Sequence, residues 1–238
     1  LGYQRDWDEL ARREPYFAVV TDRNYLLDHL DDDARRRFFE SGEADVAGLF
    51  DLIRQHVDEF TPESALDYGC GVGRLSRALA RRVTRVTGCD VSPEMIAIAK
   101  QNVEGVNFTT SLGDERFDLI VSLIVFQHIP TSEGLEILSR LLSMLNRGGV
   151  AAIHFTLRRP GGLLRRIARR FRAALPFVHR LAQWASGDAL RLPYMQMNEY
   201  SCEAIQHRFR AATGAGAIVI PHRDGDIDGA IFIGRCNR

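Results

Sequence analysis

The sequence predicts an α/β fold: a doubly wound, mostly parallel seven-stranded sheet with a C-terminal antiparallel hairpin, a helical N-terminal segment and a helical lid insertion. Three observations predict it. Short apolar runs alternate with segments of helical periodicity from residue 64 to residue 155, the rhythm of right-handed strand–helix–strand crossovers. LDYGCGVGR (66–74) places three glycines between the first run and its helix. AGAIVIPHR and DGAIFIGRC lie too close together for a crossover and read as a hairpin.

Asp31, Asp32 and Asp33 open a helix where negative charge is favoured, and Val46, Leu49, Phe50, Ile53 and Val57 give it one apolar face. Before it, WDELARREPYFAVVTDRNYL reads as a short helix and a loop able to fold over a site. SALDYG is the first strand and GVGRLSRALARRV its helix; VTRVTGCDVS is the second strand, followed by PEMIAIAKQNV with Pro93 in the first helical turn. VNFTTS and RFDLIVSLIVF are the third and fourth strands. SEGLEILSRLLSML is a helix that NRGG stops, and GVAAIHFTL is the fifth strand. The predicted organisation is a helical cap (1–60), a ligand-binding core (61–156), a helical lid (157–200) and a C-terminal helix and hairpin (201–238).

Composition excludes several classes. Thirty-one basic and 31 acidic residues cancel, so no global field favours nucleic acid. No apolar run reaches the length of about 18 residues that a spanning helix needs. The N-terminus lacks the layout of a secretory signal, and Cys70, Cys89, Cys202 and Cys236 have no metal-ligand spacing, so a cytoplasmic protein without a metal is expected. Residues 157–187 are the one outlier, with eight arginines and no acid. Leu164, Ile167, Phe171, Leu175, Val178 and Leu181 form an apolar stripe there. That stripe suits a lid, a membrane-surface helix, a self-association surface or an ordinary packed helix, and oligomeric state does not follow from it.

The glycine loop narrows the ligand. Gly69, Gly71 and Gly73 form G-x-G-x-G, but a dinucleotide site wants a small residue at position 74, where Arg74 stands. Asp67, two residues before Gly69, repels a pyrophosphate and attracts an ammonium group. Asp90 ends the second strand, a place where acids accept bonds from ribose hydroxyls. A ligand with a ribose, no phosphates and a charged amino-acid end is S-adenosylmethionine.

LDYGCGVGRLSRALA, CDVSPEMIAIAK, RFDLIVSLIVFQHIP and LNRGGVAAIHF, in that order, resemble the successive motifs of class I S-adenosylmethionine-dependent methyltransferases, a Rossmann-like family. The resemblance covers residues 60–155. It implies that Asp67 and the Gly69, Cys70, Gly71 and Gly73 backbone hold the methionine moiety, and that Asp90 bonds the ribose. It implies further that Val91 packs on the adenine near Met95, and that Leu123 offers backbone atoms to the amine. Many members carry an acid after the third strand for the adenine amino group; here Ser111 and Leu112 fall near that place, with Asp114 beyond.

His128, after the fourth strand, is the candidate base for an oxygen acceptor, with a helix-capping or cleft-wall role as the alternative. Gln127 either holds ligand or lines the cleft. His154 reads as a hydrogen-bonded core histidine, and His222 and Asp224 as solvent-facing turn residues. Tyr16, Met195, Met197 and Tyr200 are candidates for lining the acceptor site, while Phe17 and Tyr25, like Tyr16, are candidates for closing over the cofactor. The expected activity is methyl transfer to an oxygen or nitrogen of a small-molecule acceptor. Its rivals are a NAD-dependent oxidoreductase and a non-catalytic scaffold docking through the basic helix 163–181.

Overall fold

A computed structural model of the chain describes residues 2–159, 192, 193, 195–225 and 227–237. Its strands are β1 (Ser64–Tyr68), β2 (Arg85–Cys89), β3 (Asn107–Thr109), β4 (Phe117–Ser122), β5 (Leu145–Arg158), β6 (Ile218–Asp224) and β7 (Ile227–Arg235). They form one sheet in the order β3-β2-β1-β4-β5-β7-β6. The first five are parallel, and β7 returns antiparallel between β5 and β6. Strand order reverses between β1 and β4, which opens a crevice at the carboxyl ends of those two strands.

The helices are α1 (Gly2–Arg13), α2 (Pro15–Val19), α3 (Asp32–Arg54), α4 (Arg74–Ala80), α5 (Pro93–Asn102), α6 (Thr131–Ser143) and α7 (Cys202–Thr213). Their starts are chemically marked. Asp31 accepts from Ala34 N (2.7 Å), Ser92 from Met95 N (3.3 Å) and Ser201 from Ala204 N (3.4 Å), each satisfying an otherwise unpaired donor. Neighbouring strand residues feed opposite cores. Ala65 and Leu119 join Leu49, Ile53 and Leu79 of α3 and α4 on one face. Leu66 and Ile120 join Leu138, Leu141 and Phe209 of α6 and α7 on the other. A third cluster packs Leu10, Tyr16, Tyr25 and Phe38 against Cys70, Val72 and Met95, seating the N-terminal helices on the glycine loop and α5.

Two local expectations change. β4 stops at Ser122, because Ile124 takes a left-handed φ of 62° and Phe126–His128 form a 3-10 turn. The apolar run LIVF therefore leaves the sheet instead of extending the strand. NRGG does not stop α6: that helix ends at Ser143, and the four residues lie within β5, where the β4–β5 register shifts between Phe117 and Leu119.

Pro160, Gly161, Gly162 and Gly187, which the sequence offers as hinge positions, and the helix expected over 163–181 lie outside the described residues. The segment 195–200 is tied to the sheet edge, since Asn198 N donates to Gln127 O (2.6 Å) and Tyr200 N to Thr156 O (2.8 Å). No described helix is long and apolar enough to cross a membrane.

Candidate active site

The glycine loop turns at the crevice between β1 and β4. Gly69 N and Cys70 N both donate to Cys89 O (2.7 and 3.1 Å), which ties the loop to the end of β2. Gly69 and Gly71 have φ of 79° and 52°, in the left-handed region that side chains disfavour. A Cβ on Gly69 would stand 2.4 Å from a Val125 methyl, and one on Gly71 would stand 2.6 Å from Val19 Cγ2. Glycine is thus required twice over, by conformation and by close approach.

Asp90 organises the loop. Its carboxylate accepts from Gly71 N (2.9 Å) and Ser92 N (2.9 Å), one bond to each oxygen. Each oxygen keeps a second lone pair, and the residue is only half-buried, so further hydroxyl donors have acceptors available. Burial foremost raises its carboxyl above the ordinary range, opposed by those two N–H donors. Asp67 lies beneath the loop instead. It is 1% exposed and accepts from Ser76 Oγ of α4 at 2.6 Å. Desolvation lifts its carboxyl from 3.8 to about 6, against the lowering by Ser76 and Arg74. Its hydrogen bond ties the end of β1 to α4.

Arg74 has a role of its own. Its guanidinium, folded against α3, bonds Asp45 Oδ2 (2.7 Å) and Ser41 Oγ (3.0 Å). Gly42 between those partners lets α3 approach α4, since a Cβ there would meet Arg74 O at 2.5 Å. The side chain that breaks the dinucleotide pattern clamps two helices.

The N-terminal helices roof this half of the site. Ser92 Oγ donates to Asp8 Oδ1 (2.5 Å) and Tyr16 OH to Asn102 Oδ1 (2.9 Å), while Trp7 stands edge-on to His128 with centroids 5.1 Å apart. Tyr16 and Tyr25 both pack edge-on against Phe38 inside this roof, and Phe17 is partly buried against the same cluster. Met95 is 1% exposed within the roof as well, while Val91 beside it is half-buried.

On the β4–β5 side a polar chain runs along the crevice. Thr156 Oγ1 donates to Gln127 Oε1 (2.8 Å), and Gln127 Nε2 faces His128 Nε2 at 3.2 Å. His128 Nδ1 stands 2.7 Å from Gln196 O. A carbonyl only accepts, so Nδ1 carries the proton and Nε2 takes the Gln127 amide. Burial pushes the ring down to about 4, so it is uncharged at neutral pH. Both ring nitrogens are engaged in these contacts. Leu123, just past β4, is half-buried against the core cluster of α3 and α4.

The acceptor candidates separate. Met197 reaches a cleft lined also by Ile124, Gln127, His154, His222 and Ile227. Met195 packs partly buried against the N-terminal cluster. Tyr200 is a core residue: it donates to Ile129 O (2.8 Å) and lies among Phe126 and Phe155. His154, expected as a hydrogen-bonded core residue, is buried but has an Nδ1 with no partner among the described residues. His222 is exposed as expected, yet its ring stands edge-on to His154 at 5.2 Å. At the third strand's end, Thr109 O accepts from Asp90 N (3.2 Å), and Ser111 is held by Thr109 Oγ1 in a local turn; Asp114 is exposed.

Residues 65–149 match the family model described as "Methyltransferase domain". That stretch is similar to a methyltransferase domain. Among curated relatives, the ubiquinone biosynthesis O-methyltransferase of Actinobacillus pleuropneumoniae serotype 5b is 30% identical over 115 residues, 42% of this chain and 48% of that protein. Its namesake from Coxiella burnetii is 28% identical over 149 residues, 53% and 63% respectively. The chain thus spans about half the length of the first of these relatives. Two solved structures share the fold of this chain. Magnesium protoporphyrin IX methyltransferase from Synechocystis, with bound S-adenosylhomocysteine, superposes with TM-score 0.56 at 19% identity over 87% of this chain and 88% of that one. The N-methyltransferase NodS from Bradyrhizobium japonicum, in the same complex, gives 0.54 at 15% identity over 98% and 100%.

The buried acid beneath the loop has a pH signature. Its folded-state pKa lies above the ordinary value, so protonation favours the native state. That stability is fully present below pH 3.8 and is lost as pH rises through about 6. Asp67→Asn should therefore match wild type at pH 4 and be more stable at pH 8, by about 3 kcal/mol at most. Thermal unfolding at the two pH values measures this.

Proposed function

We propose that the chain transfers the methyl group of S-adenosylmethionine to an oxygen of a small-molecule acceptor. The observation that carries the reading is Asp90, whose half-buried carboxylate closes the glycine loop through Gly71 N–H and keeps acceptor capacity for ribose hydroxyls. The residues fit that cofactor. Two left-handed glycines remove side chains from the loop, and Asp67 beneath it favours a cationic ligand end over a pyrophosphate.

In this reading Asp67, Gly69, Cys70, Gly71 and Gly73 form the floor for the methionine portion. Asp90 takes the ribose, Val91 and Met95 border the adenine, and Leu123 and Gln127 close the side facing the acceptor. When bound, the cofactor supplies the methyl group on a sulfonium. The protein contributes orientation and exclusion of water, which in-line displacement needs above all. His128 fixes the segment around Gln196 through Nδ1, and a base role requires Gln127 to release Nε2. Oxygen is preferred to nitrogen because the matched curated relatives are O-methyltransferases by name.

Labelled S-adenosylmethionine offered with paired hydroxyl- and amine-bearing metabolites tests the reaction. Label transferred to hydroxyl acceptors is the expected result; transfer confined to amines would reverse the choice of atom.

A further inference from the structure

Ser92 joins three elements beside the glycine loop. It is fully buried at the start of α5, and its N–H donates to Asp90 Oδ1 (2.9 Å). Its Oγ accepts from Met95 N (3.3 Å) and gives its one proton to Asp8 Oδ1 (2.5 Å), 84 residues away on α1.

α1 is fastened on both sides of the crevice. On the α5 side Arg12 pairs with Glu94 (3.2 Å), one turn beyond the Asp8–Ser92 bond. On the β4 side Trp7 stands edge-on to His128, with centroids 5.1 Å apart. Leu10 and Ala11 are buried in one cluster with Cys70, Val72 and Met95. Val19 of α2 comes within 2.6 Å of where a Gly71 Cβ would stand. A ligand that reaches from Asp90 towards His128 passes beneath Trp7 and Asp8.

The charges explain why such a contact responds to a ligand. Burial first, and then the Asp8 charge, raise the Asp90 carboxyl, so docking α1 brings two like charges together. Between them stands Ser92, whose hydroxyl proton and N–H are both already given. A ribose brings two further hydroxyl donors to the Asp90 side, which lessens the repulsion. Ligand and docked α1 therefore favour each other. A ligand that interacts differently with two states shifts the population between them.

We propose that α1 is a clasp over the nucleoside site, that it lifts for the ligand to enter or leave, and that Asp8 is the positioning residue that latches it through Ser92. The ligand named here rests on the reading of Asp90 as the ribose acceptor. The latch itself is a property of the empty protein.

Two measurements on the full chain test this, and the first needs no ligand. Cys70 is 4% exposed in the cluster that α1 and α2 cover. Its alkylation by N-ethylmaleimide, read by peptide mass spectrometry, reports how often the clasp lifts. Cys236, buried in the cluster of α6 and α7, is the internal reference. Asp8→Ala should raise the Cys70 rate about tenfold and leave the Cys236 rate unchanged. Tenfold is about 1.4 kcal/mol, near the low end for a hydrogen bond to a charged group. Asp8→Asn keeps an oxygen for the Ser92 hydroxyl and should restore most of the protection.

The second measurement follows S-adenosylhomocysteine exchange by stopped-flow tryptophan fluorescence. Asp8→Ala should speed association and release alike. Arg12→Cys with Glu94→Cys, two exposed positions, in a Cys202→Ser background allows a reducible bifunctional thiol reagent to pin α1 to α5. That bridge should slow both steps and Cys70 alkylation more than tenfold, and reduction should restore them. An unchanged Cys70 rate in Asp8→Ala, an equal rise at Cys236, or exchange and alkylation indifferent to the bridge would overturn the proposal. Should Asp8→Ala fail to fold, the bridged protein decides. Should S-adenosylhomocysteine not bind at all, the methyl-donor reading fails, and the Cys70 rates alone decide the latch.

Discussion

Gly69→Ala is expected to lose measurable S-adenosylhomocysteine binding and to destabilise the fold by about 2–5 kcal/mol. Two costs add. A left-handed φ of 79° penalises alanine by about 1–2 kcal/mol. The new Cβ would stand 2.4 and 2.6 Å from the two Val125 methyls, and overpacking of this kind costs about 1–3 kcal/mol. Relief by moving the loop would break the donation from Gly69 N to Cys89 O. Denaturant unfolding measures the loss of stability and calorimetric titration the loss of binding. Val125→Ala in the same chain should restore part of the stability, because it removes the steric cost and leaves the conformational one. A Gly69→Ala protein as stable and as ligand-competent as wild type would contradict the loop geometry.

Asp90→Ala carries the second large effect. It leaves Gly71 N–H and Ser92 N–H without their carboxylate acceptor, and hydrogen bonds to charged groups are worth about 1.5–3 kcal/mol each. Relief of the burial that raises the Asp90 carboxyl offsets part of this, so the expected loss of stability is smaller than the two bonds together. Ligand affinity should fall by at least about tenfold, because the loop loses its tie and, in the proposed function, the ribose its acceptor. Asp90→Asn separates the two roles. One acceptor oxygen remains for one of the two N–H groups while an NH2 donor takes the place of the other, so stability should recover in part and more than affinity does.

Much of this molecule is legible in its sequence, for reasons that are local. The strands around LDYG and CDVS are apolar runs bounded by turn residues. The glycine loop announces itself because only glycine serves at φ of 79° and 52°. Helix starts at Asp31, Ser92 and Ser201 are single-residue signals. Features that depend on contacts far apart in the chain are not legible. The Asp8–Ser92 and Tyr16–Asn102 bonds span 84 and 86 residues, so nothing near Tyr16 says that it faces α5 and not a ligand. Tyr200 and Met197 stand three residues apart in one segment, yet one enters the core and the other the cleft.

The end of β4 is hidden for another reason. Ile124 takes a conformation that glycine usually signals, so the apolar run reads straight through the turn. His154 shows the limit of treating a buried histidine as satisfied: alternation along β5 places it correctly, but only the cleft beside it reveals that Nδ1 lacks a partner among the described residues. Arg74 is legible as an exclusion. Its partners Ser41 and Asp45 lie on a helix whose approach to α4 depends on Gly42.

Calorimetric titration of the full chain with S-adenosylhomocysteine and, in parallel, with NAD tests most directly whether the loop and Asp90 hold S-adenosylmethionine rather than a dinucleotide. One-site binding of S-adenosylhomocysteine in the micromolar range, weakened by Asp90→Ala and matched by no heat with NAD, is the predicted result. No binding of S-adenosylhomocysteine at millimolar concentration, or tighter binding of NAD, would contradict it.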